Sequence, residues 1–183
     1  VYFSNDFQFP LPDEDGTVRV EESRDHFITA CATQSGRVFC TLLSVDNFEV
    51  FGFEPDGSQY LHITDEDYMR VPKTQEEIQR EIGESKSDFS MLSGNTSNRT
   101  IIPDPFRPAI SSLHIDNEDR LWVRLGYHPG LVYRVYDQEG NVLFHVAVSY
   151  SGDQLDLMDW SMNINEYGYL AYTHNSEDYP RIY

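Results

Sequence analysis

Apolar and polar positions alternate in short runs along most of this chain, and each run stops at a cluster of acidic, amide or glycine residues. "RVFCTLL", "SQYLHI", "RLWVRL" and "NVLFHVAV" are rich in β-branched and aromatic residues and too short for helices, so each predicts a strand. The tetrads before them, "TQSG", "EPDG", "DNED" and "DQEG", predict type I turns followed by a residue in the left-handed region, the connection of a tight hairpin. "DEDG" before "TVRVE" and "NEYG" before "YLAYT" fit the same form.

The hairpins recur in order. Phe27–Ile63 aligns without a gap on Ile110–Val146 at an offset of 83: Arg37 meets Arg120, Leu42 meets Leu125, Gly57 meets Gly140 and His62 meets His145. Identities are few, and what repeats is the order strand, turn, strand, bend, strand, turn, strand. Repetition of a four-stranded unit of about 40 residues predicts an all-β chain of β-propeller blades. One blade covers residues 26–64 and a second 109–148, each four-stranded and antiparallel. Residues 159–183 supply three strands of an incomplete last blade, and residues 1–22, with "FQFPLP" and "TVRVE", read as the end of a preceding one. That makes about three blades.

Between the full blades, residues 65–108 form an insert. "KTQEEIQREIGE" places Thr74 three residues before Glu77 in a capping box, with Ile78 and Ile82 on one stripe, and predicts one short interblade helix. The "SKSDFSMLSGNTSNRT" that follows reads as a loop.

The stretch "PAISSLHIDNEDRLWVRLGYHPGLVYRVYDQEGNVLFHV" resembles the blades of bacterial six-bladed β-propellers of the NHL-repeat and TolB-like kind, and "YMRVPKTQEEI" is similar to an interblade insert of some of them. The matching positions are turn and core positions, so the resemblance implies architecture and no catalytic residues. It also implies a ring of six, which three wedge-shaped blades do not close, because each blade needs a neighbour on both faces. The expectation is a C-terminal half whose partner is a missing N-terminal half, or a chain completed by an identical copy.

Composition narrows the partners. Thirteen Lys and Arg against 31 Asp and Glu give a formal charge of -18, which repels phosphate backbones and argues against nucleic acid as a partner. No run is long and apolar enough for a membrane span. The first residue is Val1 and not Met, which points to a processed, trimmed or engineered start. These residues do not fix a compartment, and export to the periplasm or cell exterior is the working expectation.

Candidate chemistry is weighed against plainer readings. Asp116, Asn117, Glu118 and Asp119 supply oxygen ligands in a compact space, yet they sit where a hairpin must turn and lack the alternation and distal Glu of a calcium loop. Phe39 and Trp122 occupy equivalent second-strand positions and predict packing between blades; His62 and His145 repeat on the outer strand and read as structural or exposed. A two-residue loop at Ser35-Gly36 would set Cys31 opposite Cys40, whereas the longer loop that the other hairpins share pairs Cys31 with Phe39 and turns Cys40 to the opposite face; the longer loop is the expectation, and with it free thiols.

Propeller ligands generally meet the loops that join the second strand to the third and one blade to the next. Here those loops gather Asp46, Asn47, Tyr127, His128, Asp153, Asp156, Asp159, Glu177 and Asp178. The expectation is a noncatalytic binding or interaction module with no cofactor, for a protein or small-molecule ligand. The competing expectation is a calcium-assisted hydrolase or lactonase, in which carboxylates beside a His bind the cation or act as acid and base. Acidic loops in an acidic protein are also the plain consequence of composition.

Overall fold

The computed structural model describes residues 14, 17–19, 28–83, 100–128, 130–148, 160–164, 170–174 and 181–182. These residues are mostly β. Strands β1 (Thr17–Arg19), β2 (Ile28–Ala32), β3 (Val38–Leu42), β4 (Glu49–Phe53) and β5 (Gln59–Thr64) precede a helix α1 over 75–83. After it come β6 (Thr100–Ile102), β7 (Ile110–Ile115), β8 (Leu121–Leu125), β9 (Leu131–Tyr136) and β10 (Val142–Val148). The last strands are β11 (Trp160–Ile164), β12 (Leu170–His174) and β13 (Arg181–Ile182). No helix among the described residues is long and apolar enough to cross a membrane.

Two four-stranded antiparallel meanders, β2-β3-β4-β5 and β7-β8-β9-β10, form the body, and β11-β12-β13 form a three-stranded antiparallel sheet. β1 pairs with β6 in parallel, so among the described residues the partner of "TVRVE" comes from the insert; the "FQFPLP" expected beside it lies outside them.

The repeat holds residue by residue in the pairing. Cys40 opposite Phe51 and Val38 opposite Phe53 in the first sheet correspond to Val123 opposite Arg134 and Leu121 opposite Tyr136 in the second. Both outer hairpins carry a bulge at the same place, Gly52/Phe53 against Leu61/Gln59 and Val135/Tyr136 against Phe144/Val142.

Four hairpin turns are built alike. In each, the first residue's N–H donates to the carbonyl four residues on and its own carbonyl accepts from the N–H three residues on. This holds at Thr33/Gly36/Arg37, Glu54/Gly57/Ser58, Asp116/Asp119/Arg120 and Asp137/Gly140/Asn141. The fourth residue of each turn is left-handed, with φ of 89° at Gly36, 83° at Gly57, 57° at Asp119 and 85° at Gly140, as the turn chemistry predicts.

The sheets stand in a row. Inner strand β2 lies beside β7, and β7 approaches β11. One core fills the space between the two meanders, joining Phe39, Phe48, Val50 and Ile63 to Leu113, Leu121, Val123, Leu125 and Tyr136. A second core lies on the other side of the β7–β10 sheet, where Trp122, Leu131, Tyr133 and Val135 meet Met162 of β11. Phe39 and Trp122 thus each face the following sheet, as their equivalence predicts.

Cys31 pairs with Phe39 in register, and both cysteines are free. Burial and then the neighbouring Cys40 push the Cys31 thiol up to about 12.

Candidate functional site

The two ends of the row differ in chemistry. At the turn end the polar groups satisfy one another. Asp116 Oδ1 accepts from the main-chain N–H of Glu118 (3.0 Å) and Arg120 (2.9 Å), while Oδ2 accepts from Arg120 Nε (2.7 Å) and Trp122 Nε1 (2.8 Å). Burial pushes this carboxyl upward, but the bonds from Trp122, Arg120 and Glu118 outweigh it and hold it below the usual carboxylate range. With its acceptor sites engaged, Asp116 is a turn residue. Asp137 repeats the pattern on Glu139 and Asn141.

At the other end the β3–β4 and β8–β9 connections sit on neighbouring sheets, and the segments flanking α1 tie them together. Ser44 Oγ accepts from the N–H of Asp46 (3.0 Å) and Asn47 (3.3 Å), which turns the β3–β4 loop. Tyr68 reaches that loop by donating its OH to the Val45 carbonyl at 2.9 Å, and its ring lies 5.4 Å from the Tyr127 ring in the β8–β9 connection. The His128 ring continues the cluster, 5.0 Å from Tyr127. Arg70 makes an ion pair with Asp46 and lies over the Phe106 ring at 5.5 Å.

The frame beneath is polar and largely buried. Thr74 and Glu77 form the expected capping box, Glu77 N–H donating to Thr74 Oγ1 at 3.2 Å and Thr74 N–H to Glu77 Oε2 at 2.7 Å. Glu77 also takes a two-pronged pair from Arg107, 2.9 Å on each prong, and Arg107 Nη1 donates to the Tyr127 carbonyl at 3.0 Å. Burial raises the Glu77 carboxyl, while Arg107 and the Thr74 N–H pull it down further, so the net direction is down. The sequence placed Ile78 and Ile82 on the buried stripe of α1; the residue most enclosed is Glu77, 6% exposed, because Arg107 neutralises it.

Gly126 lets the β8–β9 connection pass close to the strand entering β7, since a Cβ there would stand 2.5 Å from the Pro108 carbonyl oxygen. Arg134 in β9 closes the junction from below, pairing with Asp65 at 2.9 Å and lying 5.2 Å over the Phe48 ring. Burial is the first cause that raises the Tyr68 and Tyr127 hydroxyls, with Asp46 adding to it at Tyr68. Both remain neutral donors at physiological pH.

Of the nine residues expected on this surface, Asp46, Asn47, Tyr127 and His128 lie on the two connections. Asp46, Asn47 and His128 are exposed there, while Tyr127 is half-buried. Asp153, Asp156, Asp159, Glu177 and Asp178 lie outside the described residues. Among the described residues no group of three or more His, Cys, Asp and Glu gathers as a metal site. Sequence reasoning missed Tyr68, Arg70, Arg107 and Arg134. The one signal available was scarcity: with only 13 Lys and Arg in the chain, an Arg inside an apolar strand or beside prolines needs a carboxylate.

The surface therefore offers two tyrosine rings, an imidazole, a guanidinium and exposed carboxylate and amide oxygens, a set suited to stacking and hydrogen-bonded recognition. No family model, curated protein or solved structure matches the chain.

Proposed function

We propose that this chain is part of a six-bladed β-propeller and acts as a noncatalytic binding module, with the Asp46–Tyr68–Tyr127–His128 end as its ligand face. The observation that carries the reading is the asymmetry between the two ends. At the turn end the carboxylates are spent on their own turns and Arg37 bridges successive sheets to Gln138 at 2.7 Å, whereas at the opposite end equivalent connections of successive sheets meet around partly exposed rings and are locked by residues of the insert: Tyr68, Arg70 and Arg107. Fixed, partly exposed aromatics beside hydrogen-bonding groups on a rigid scaffold are what ligand sites require.

The test is a thermal-shift screen against neutral and acidic sugars, short peptides and divalent cations. A ligand of this face raises the melting temperature of the unaltered chain and of Asp137→Ala at the turn end. The same ligand has no effect on His128→Ala combined with Asp46→Ala. Binding that survives the double variant and vanishes in Asp137→Ala contradicts the assignment.

A further inference from the structure

The segment Asp65–Arg70 crosses the ligand face as an arch pinned at both ends. Asp65 N–H donates to the Phe48 carbonyl at 3.3 Å, and its carboxylate holds Arg134. Just past the arch, Arg107 N–H donates to the Val71 carbonyl and Lys73 N–H to the Pro105 carbonyl, each at 2.9 Å. Tyr68 on the arch stands beside Tyr127, and Met69 next to it in sequence is 79% exposed. Fixed rings with an exposed thioether suit a ligand that is apolar in part. Charge narrows the choice further. Each arginine here is already matched: Arg70 by Asp46, Arg107 by Glu77 and Arg134 by Asp65. The acids are not, since among the described residues Glu66, Asp67 and Asp104 have no cationic partner. Asp104 is only 3% exposed; its Oδ1 accepts from Phe106 N–H at 2.8 Å, and its Oδ2 meets no donor among the described residues. A carboxylate so enclosed and half satisfied carries a desolvation cost that a bound cation offsets. Its charge reaches the rings: burial first raises the Tyr68 hydroxyl, and Asp46 and Asp104 raise it further against the opposing Arg70.

The fold already holds one cation in this way. Arg70 pairs with Asp46 and lies 5.5 Å over the Phe106 ring, gripped by a carboxylate and an aromatic face together. We propose that the ligand of this face is an organic cation, an alkylammonium or guanidinium group that lies against the Tyr68, Tyr127 and His128 rings and answers the unmatched carboxylate of Asp104. Met69 meets its alkyl stem. A free amine and the lysine or arginine of a peptide carry this same chemistry. The assignment rests on this end being the ligand face and adds the sign of the charge that the face takes.

Titration calorimetry of the full chain tests it with butylammonium, butylguanidinium and the peptide Gly-Lys-Gly, against butanol, butyrate and Gly-Gln-Gly as matched controls. The cationic probes bind and the controls do not. Tighter binding of the peptide than of butylammonium supports a peptide source, and the reverse order a free amine. His128→Ala, at an exposed position, weakens cation binding by about threefold to fivefold. Asp104→Asn keeps an oxygen for the Phe106 N–H and weakens it at least as much. Arg70→Gln removes a competing cation and frees Asp46, so cation binding tightens, the opposite of what an anionic ligand would show. Circular dichroism checks that each variant is folded. Failure of every cationic probe, or weaker cation binding in Arg70→Gln, overturns the proposal. So does cation binding indifferent to both His128→Ala and Asp104→Asn, which is diffuse attraction to a chain of charge -18. A neutral or acidic probe that binds the unaltered chain and is lost in His128→Ala overturns the cation and leaves the ligand face standing.

Discussion

Asp116 illustrates how a residue that looks reactive in sequence is spent on structure. Its carboxylate binds two main-chain N–H groups, Arg120 and the Trp122 indole. The sequence supplied the turn; the indole bond was hidden, because Trp122 reads first as a packing residue. Asp116→Ala strands the indole N–H and two amides, and a loss of about 2–4 kcal/mol is expected in urea unfolding. Gly140→Ala is a second residue-scale case: φ is 85° and a new Cβ would lie 2.9 Å from Leu61 Cδ1 of the neighbouring sheet. It is expected to lower stability by about 1–3 kcal/mol. Asp119→Gly, in the equivalent left-handed position of another turn, relieves strain and loses one exposed 3.3 Å bond from the Gln34 N–H, so its change stays within about 0.5 kcal/mol. The thiols give a chemical check. With Cys31 pushed up to about 12 and Cys40 raised by burial, neither reacts quickly with a disulfide reagent at pH 8 in the native chain, and both react in denaturant.

At the scale of elements, the strands and turns were legible because their rules are local. Period-two alternation, Gly or Asp at the left-handed position and the 83-residue offset predict the pairing down to Cys31 opposite Phe39. The ties between elements were not. Glu77 with Arg107 is 30 residues apart and Arg134 with Asp65 is 69, and no local pattern selects one Arg–carboxylate pair in a chain with 31 acids. The Glu77–Arg107 pair anchors α1 to the β8–β9 connection, so Arg107→Met leaves Glu77 enclosed without its cation and is expected to cost about 3–5 kcal/mol. Acid acts on the same groups. The Glu77 and Asp116 carboxyls lie below their ordinary 4.5 and 3.8 in the folded chain. His114 is lowered from 6.5 by burial and then by Arg124. In each case the unfolded chain binds more protons, so stability rises with pH. The His114 contribution begins to fall below about pH 6.5, and the carboxylate contributions are lost as pH drops through their folded values. Urea midpoints measured from pH 7 to pH 3 should decrease throughout, and a midpoint that rises on acidification would falsify this assignment.

For the whole molecule, the account rests on two sheets of one repeat packed face to face in a row, because that arrangement brings the β3–β4 and β8–β9 connections together. Fold class was readable from repetition alone, whereas the ligand face was readable only as a set of loops. Four of its nine expected residues lie on the two connections, and the residues that lock them come from the insert, where no repeat guides the eye. The contact between sheets is carried most directly by Asp65 at the end of the first and Arg134 in β9 of the second, 2.9 Å apart with side chains 17% and 18% exposed. A double-mutant cycle with Asp65→Asn and Arg134→Gln, read by urea unfolding, measures that contact. Packed as described, the two residues show a coupling between about 0.5 and 3 kcal/mol. Single-variant effects that add to within about 0.3 kcal/mol would contradict the arrangement.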